Sequence, residues 1–429
     1  MTALQLFSLV LLAVTFAVAL WRRVNVGFAM LPAAFILAEV AHISLDKMYT
    51  GFPASLVVLV LGVMYLFGHA VRSGAVDRLV VAAERGVGER DWLLPWVTFL
   101  LSAFISAVGA LPVASLAVVL PMAMQTARRR QIDPMLMGVV TIMGALAGGF
   151  SPISVWGQLI REVGLKLHYH VPGYSLFGLE FALNTALAII AFLVYGGWRL
   201  MRRRSLAPTG AADAAAAPVP QSTEATMSRY EVAALLAIVA FIVAVLGFKL
   251  DVGLTAFTLG ALLHLLFTPE ERGVIAALPW PVVLIIAGVL TYISLLLSIG
   301  TLEAITRHMQ GIQSPVLSVI ALAYFASVFA SFESSQVAVL AVVVPVALQV
   351  ELGLSHSLPM LLLVLTVVAY SAVVTSTSPF HVSGALTIAN TGDAEEARTL
   401  FRRLLVWTIG VAVVVPIASS LVPLIVQAA

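Results

Sequence analysis

The sequence predicts an all-α polytopic membrane protein built as two inverted repeats, each with three spans, a re-entrant helical hairpin, a broken helix and a further span. Three observations predict it. Hydrophobic residues make up 61% of the 429 and charged residues only 10%, against about 25% charged in an ordinary soluble domain. Apolar runs near or above the roughly 18 residues that cross a bilayer recur along nearly the whole chain. The order of segment types, with the motifs inside them, occurs twice.

In lipid every backbone N–H and C=O must be satisfied within its own segment, so the apolar runs read as helices; the alternating ten-residue runs of a membrane barrel are absent. The first run, Leu4 to Leu20, is followed rather than preceded by its charges, Arg22 and Arg23. That order reads as a retained helix, not a cleaved signal. Spans at 24–41 and 53–71 come next, then a hydrophobic block 93–127, then 135–160 and 176–198, closing an N-terminal repeat over 1–198. Residues 199–229, with several arginines and an Ala/Pro-rich tract, have the composition of a flexible linker. The C-terminal repeat, 230–429, runs through 230–248, 252–268 and 281–299, a block 315–350, then 359–390 and 404–427.

The duplication is visible in single residues. Ser151-Pro152-Ile153-Ser154-Val155-Trp156-Gly157-Gln158-Leu159 and Ser378-Pro379-Phe380-His381-Val382-Ser383-Gly384-Ala385-Leu386 share the pattern SPxxVxGxL, 227 positions apart (378 − 151). Upstream, Leu116 to Pro121 matches Leu340 to Pro345, and Pro134-Met135-Leu136 matches Pro359-Met360-Leu361. Apolar composition yields chance matches of single leucines, not proline-anchored motifs in one order twice.

Orientation follows from the excess of Lys and Arg in cytoplasmic loops. With the N-terminus outside, the linker cytoplasmic and the C-terminus outside, 18 of the 23 Lys and Arg fall on the cytoplasmic side, provided blocks 93–127 and 315–350 enter and leave on one face. Were either a simple span, every later loop would change sides. Both blocks therefore read as re-entrant hairpins entering from opposite faces, a layout shared by many secondary transporters. The pI near 9.0 comes from arginines at helix ends and calls for no nucleic-acid partner.

Non-helical backbone at membrane depth is tolerated only where protein buries it or water reaches it. Two spans carry such breaks, Gly148-Gly149-Phe150-Ser151-Pro152 and Thr375-Ser376-Thr377-Ser378-Pro379. Each break starts a half-helix whose free N–H groups and positive dipole end suit an anion, and frees carbonyls and hydroxyls that suit Na⁺. A kink that only shapes packing is the plainer reading of one break; two matching breaks beside two hairpins favour a binding site. The first hairpin turns near Ser106 and Gly109, small and almost apolar; the second turns at Glu333-Ser334-Ser335-Gln336, clearly polar. Glu333 is the acid read as deep in the C-terminal half, a proton-coupling site or cation ligand. His381 reads as a substrate donor, a proton relay or a packed histidine.

With no cysteine, no HExxH, no P-loop, no dinucleotide glycine pattern and no convincing nucleophile–base pair, the sequence points away from an enzyme and asks for no cofactor beyond a coupling ion. The two hairpin-plus-broken-helix modules, each ending in a Ser-Pro loop, resemble the ion transporter superfamily of divalent anion/sodium symporters, citrate carriers and arsenite permeases. Gly144 to Ile153 looks most like its malonate/dicarboxylate carrier (MatC-like) branch. The resemblance implies a homodimer, a scaffold, and a transport domain that moves like an elevator. Carried over by position, it implies one site at Ser106, Gly109, Gly149, Ser151 and Ser154. A second would use Ser334, Ser335, Gln336, Thr375, Ser376, Thr377 and Ser378, with Pro379 and His381 beside it. Na⁺ would sit at Ser106, Gly149, Ser335 and Thr375, with Gly148 and Ser376 joining in ion coupling; Glu333, read from its own position and not from the resemblance, leaves proton coupling open. The sodium/dicarboxylate members carry Ser-Asn-Thr at their hairpin tips, and neither tip here does.

The expectation is a secondary transporter in the inner membrane of a bacterium, coupling Na⁺ or H⁺ to symport of a small organic anion, a dicarboxylate such as malonate or succinate. The competing reading is a Na⁺/H⁺ antiporter on the same scaffold, with Glu333 exchanging the ions.

Overall fold

The computed structural model describes residues 1–88, 90–167, 169–202, 227–304, 315–332, 335–352 and 358–428. Glu333 and Ser334, and most of the linker, lie outside these residues. The first half folds as α1 (Ala3–Arg22), α2 (Val26–Val40), α3 (Leu45–Thr50), α4 (Ala54–Arg72), α5 (Ala75–Val87), α6 (Leu94–Ala107), α7 (Pro112–Arg129), α8 (Pro134–Gly149), α9 (Val155–Lys166), α10 (Gly173–Val194) and α11 (Gly197–Arg202). The second half folds as α12 (Arg229–Ile242), α13 (Val252–Phe267), α14 (Glu271–Ala276), α15 (Trp280–Ser298), α16 (Pro315–Phe332), α17 (Gln336–Leu352), α18 (Leu358–Val374), α19 (Val382–Ala389) and α20 (Ala394–Ala428). No strand occurs among the described residues.

Local chemistry sets where these helices begin. Asn25, Asp133, Ser154 and Asp251 each accept a backbone N–H of the first turn, and Ser228 with Glu231 forms a reciprocal capping box. Pro112 and Pro134 open α7 and α8, where a missing N–H costs nothing. Six helices among the described residues are long and apolar enough to cross a membrane. Leu193, Phe248, Leu265 and Val406 are exposed on the outer surface, where water would penalise them and lipid would not. This is an all-α integral membrane protein.

Two helix pairs form one side of the molecule. α2 packs on α15 where Gly27 meets the Leu284 carbonyl, and α4 packs on α13 where Gly62 meets that of Gly253. In the order of the repeats these are equivalent pairs, second span with third and third with second. Each crosses from one half of the chain to the other.

The other side holds α6 to α10 and α16 to α20. Blocks 93–127 and 315–350 each fold as two helices, α6–α7 and α16–α17, the first pair joined by a short turn. In the first, Ser115 Oγ donates to the Ser102 carbonyl at 3.0 Å, which holds the arms side by side. Segments 135–160 and 359–390 are both interrupted, α8 before α9 and α18 before α19. In the 18-residue apolar window within Pro359–Ala389, 89% of the residues are buried, against 33% for that of α10, so protein rather than lipid sheathes that part of the broken helix. Residues 72–92, between the third span and block 93–127, contain the amphipathic helix α5, whose Arg78 pairs with Glu231 at 3.3 Å.

Candidate functional site

The SPxxVxGxL motif folds the same way twice. Ser151 Oγ accepts the Ile153 N–H at 3.4 Å and Ser378 Oγ accepts that of Phe380 at 3.2 Å, so each serine closes a turn two residues on. The residue three positions after that serine caps the next half-helix: Ser154 Oγ accepts the Gly157 N–H at 3.3 Å, and His381 Nδ1 accepts the Ser383 N–H at 3.1 Å. The motif glycine is fixed by close approach. A Cβ on Gly157 would lie 2.1 Å from the Ser151 carbonyl oxygen, and one on Gly384 would lie 2.1 Å from that of Ser378. One six-residue backbone shape thus unwinds both helices and restarts them as α9 and α19.

Around these matching backbones the side chains differ. In the first module Gly149 lies against Pro112 and Trp156, and Trp156 is 1% exposed and edge-on to Phe150 at 5.2 Å. In the second module, the motif positions of Gly149 and Trp156 hold Ser376 and Ser383. Gln336, nine residues before Pro345 as Pro112 is before Pro121, takes the place of that proline. Its carboxamide reaches Ser376 Oγ at 2.6 Å and His381 Nε2 at 2.7 Å. The contact is made through the Gln336 amide nitrogen, while His381 Nδ1 is occupied by the Ser383 N–H. One module is closed by an indole and a proline ring, the other by a hydrogen-bonded polar cluster.

Ser106 Oγ in the first module, and Thr375 Oγ1 and Ser383 Oγ in the second, are buried with no hydrogen-bond partner. Ser376, Thr377, Ser378 and Pro379 are buried; Thr377 Oγ1 meets Thr408 Oγ1 at 3.1 Å. Ser335 Oγ accepts the Ala338 N–H at 3.4 Å at the start of α17. Gly109 sits at the first tip with φ +125°, a conformation open to glycine, and faces Val63 of α4 and the Ile153 carbonyl. Gly148 is packed against the Ala103 carbonyl of α6, and the Ser154 hydroxyl donates to the carbonyls of Gly149 and Ser151. A cavity of about 560 Å³ opens between the first break and α4, reached by Pro152, Gln158, Arg161, Ser55 and Lys249. That volume suits a small molecule.

Sequence reasoning passed over Glu180, which lies within span 176–198 and is completely buried. The signal was present: a lone acid inside an apolar run.

Residues 1–149, about a third of the chain, match the family model described as dicarboxylate carrier protein MatC N-terminus. The resemblance to the MatC branch is shown over these residues. The MatC-type segment includes the first hairpin and α8 and ends at Gly149, so Ser151 and the whole second module lie beyond it. No curated protein matches the chain. Among solved structures, the crystal structure of the Alcanivorax borkumensis YdaH transporter, described as having an unusual topology, aligns with a TM-score of 0.58 over 90% of this chain and 88% of that chain, at 12% identity. The likeness is one of fold.

Proposed function

We propose that this protein is a secondary active transporter that couples Na⁺ or H⁺ to the symport of a small dicarboxylate such as malonate or succinate. The observation that carries the reading is the pair of identically unwound helices facing two hairpins, of which the second encloses Gln336, Ser376 and His381. An enzyme has no evident use for two such modules; an alternating-access carrier does. The match of residues 1–149 to a dicarboxylate-carrier model supports the substrate class.

The chemistry suits an anion held without a fixed cation. α19 begins at His381, with Ser378 and Ser383 hydroxyls beside its N-terminal N–H groups, and neither break contains a Lys or Arg. Hydroxyls, amides and a helix dipole bind a carboxylate loosely enough to release it, and a bound cation balances the charge. The buried, unpartnered Thr375 hydroxyl is one oxygen available to that cation. In this reading the hairpins and broken helices move as an elevator against the α2–α15 and α4–α13 pairs. The protein works in a bacterial inner membrane, as a homodimer, with the linker cytoplasmic.

The test is uptake of radiolabelled malonate or succinate by proteoliposomes holding the full chain, with Na⁺ or H⁺ gradients imposed separately. Concentrative uptake driven by either gradient is expected. Cation exchange that proceeds without any anion would make the protein an antiporter and overturn the symport reading.

A further inference from the structure

Glu180 lies on α10, seven residues in from Gly173, and its side chain is completely buried. Both carboxyl oxygens have no hydrogen-bond partner. One turn on, the buried Asn184 spends its amide nitrogen on the Glu180 backbone carbonyl at 2.9 Å, leaving its own Oδ1 without a partner. Tyr370 of α18 packs across the same stretch, and its hydroxyl is spent on the Leu183 carbonyl at 3.1 Å. The pocket therefore holds three unpaired buried acceptor oxygens, and among the described residues no donor is directed at them.

Among the described residues the neighbouring elements supply no counter-charge. α10 has no other acidic or basic side chain, and α6 and α8 have none at all. From α18 only Tyr370 faces it. The charged residues of α9 point elsewhere: Arg161 and Glu162 line the cavity against α4, and Lys166 donates to the Gly51 carbonyl. Arg199 and Arg202 of α11 stack on Trp198, past the far end of α10. A pocket of acceptors without donors or cations is completed most simply by a proton, which turns one carboxyl oxygen into a donor toward Asn184 Oδ1, its neighbour at i+4.

Resting on the transport reading above, we propose that Glu180 is the proton-binding site that couples transport to a proton gradient. Tyr370 stands five residues before Thr375, so the helix that Glu180 packs against leads directly into the second break. Deprotonation leaves a bare carboxylate against that helix and disfavours the arrangement described here; protonation restores it. Glu180 thereby biases where the Gln336 cluster sits, without touching substrate.

Two measurements on the full chain test this. In proteoliposomes, E180Q, which mimics the protonated form in shape and charge, is expected to keep malonate exchange within about twofold of the unaltered protein. It is expected to lose net uptake driven by an inside-alkaline gradient, and exchange is expected to become independent of pH. Gradient-driven uptake by E180Q equal to that of the unaltered protein overturns the proposal. The second readout needs no substrate: infrared difference spectra between acid and alkaline buffer should show a protonated-carboxyl C=O band that E180Q lacks. Absence of that band means Glu180 does not titrate, and the proposal fails. If the band is present while malonate exchange is absent in both proteins, the dicarboxylate reading fails and the proton site stands.

Discussion

At Gly157 and Gly384 a methyl group has nowhere to go, since the nearest backbone carbonyl oxygen would lie 2.1 Å from it in each case. Replacing either glycine with alanine is expected to cost about 1–3 kcal/mol, the usual range for overpacking, seen as a lower melting temperature in detergent. Unchanged melting of both variants would mean that the unwound loops yield freely and that glycine is not what shapes them. Gln336 answers to a different rule. Q336L leaves the buried His381 Nε2 and Ser376 without their shared partner, at a cost of about 1–3 kcal/mol, and is expected to weaken malonate binding about tenfold or more. Intact affinity would remove the cluster from the site. Gln336 and His381 were both candidates from sequence alone, but their meeting across 45 positions was not, because nothing in a linear chain says which hairpin arm faces which break.

The helices differ in how much of their role the sequence exposes. α8 was legible as a span because of its apolar length; its work as the floor of the first hairpin was not. Gly144 and Gly148 bring it against the Phe99 and Ala103 carbonyls of α6, where an added Cβ would lie 2.2 Å and 2.1 Å away. G148L is therefore expected to wedge α6 from α8 and to reduce the yield of monodisperse protein in size-exclusion chromatography. Wild-type yield would show that the hairpin can dock elsewhere. Trp156 closes the same module from the other end of the break. W156A is expected to destabilise by about 3–5 kcal/mol, the range for emptying a large aromatic site, measured by thermal unfolding. α5 is not marked by a continuous apolar run, because its apolar positions are interleaved with charges, as in an amphipathic helix.

Across the whole molecule the two halves of the chain interlock. Beyond the α2–α15 and α4–α13 crossings, Arg403 of α20 holds Asp133, just before α8, through two bonds of 2.9 Å and 2.6 Å, while Arg128 donates to the Asn390 carbonyl. The side chains of the Arg403–Asp133 pair remain 35% and 30% exposed, so R403Q is expected to cost less than about 1 kcal/mol. A fall in melting temperature equivalent to several kcal/mol would show instead that this clasp holds the halves together.

By itself the sequence determined the class of the protein, since too little polar surface and repeated bilayer-length runs leave only a helical membrane fold. It also determined the two breaks, because Pro and Gly act on the backbone wherever they stand. Tertiary structure decided which break is polar inside. Ser376 and Gly149 occupy matching places in one motif, and only packing reveals that Gln336 meets the first while Pro112 and an indole seal the second. It also decided that Glu180 has no partner among the described residues, for that is a property of every neighbour at once, and neighbours in space are what a linear chain leaves unstated.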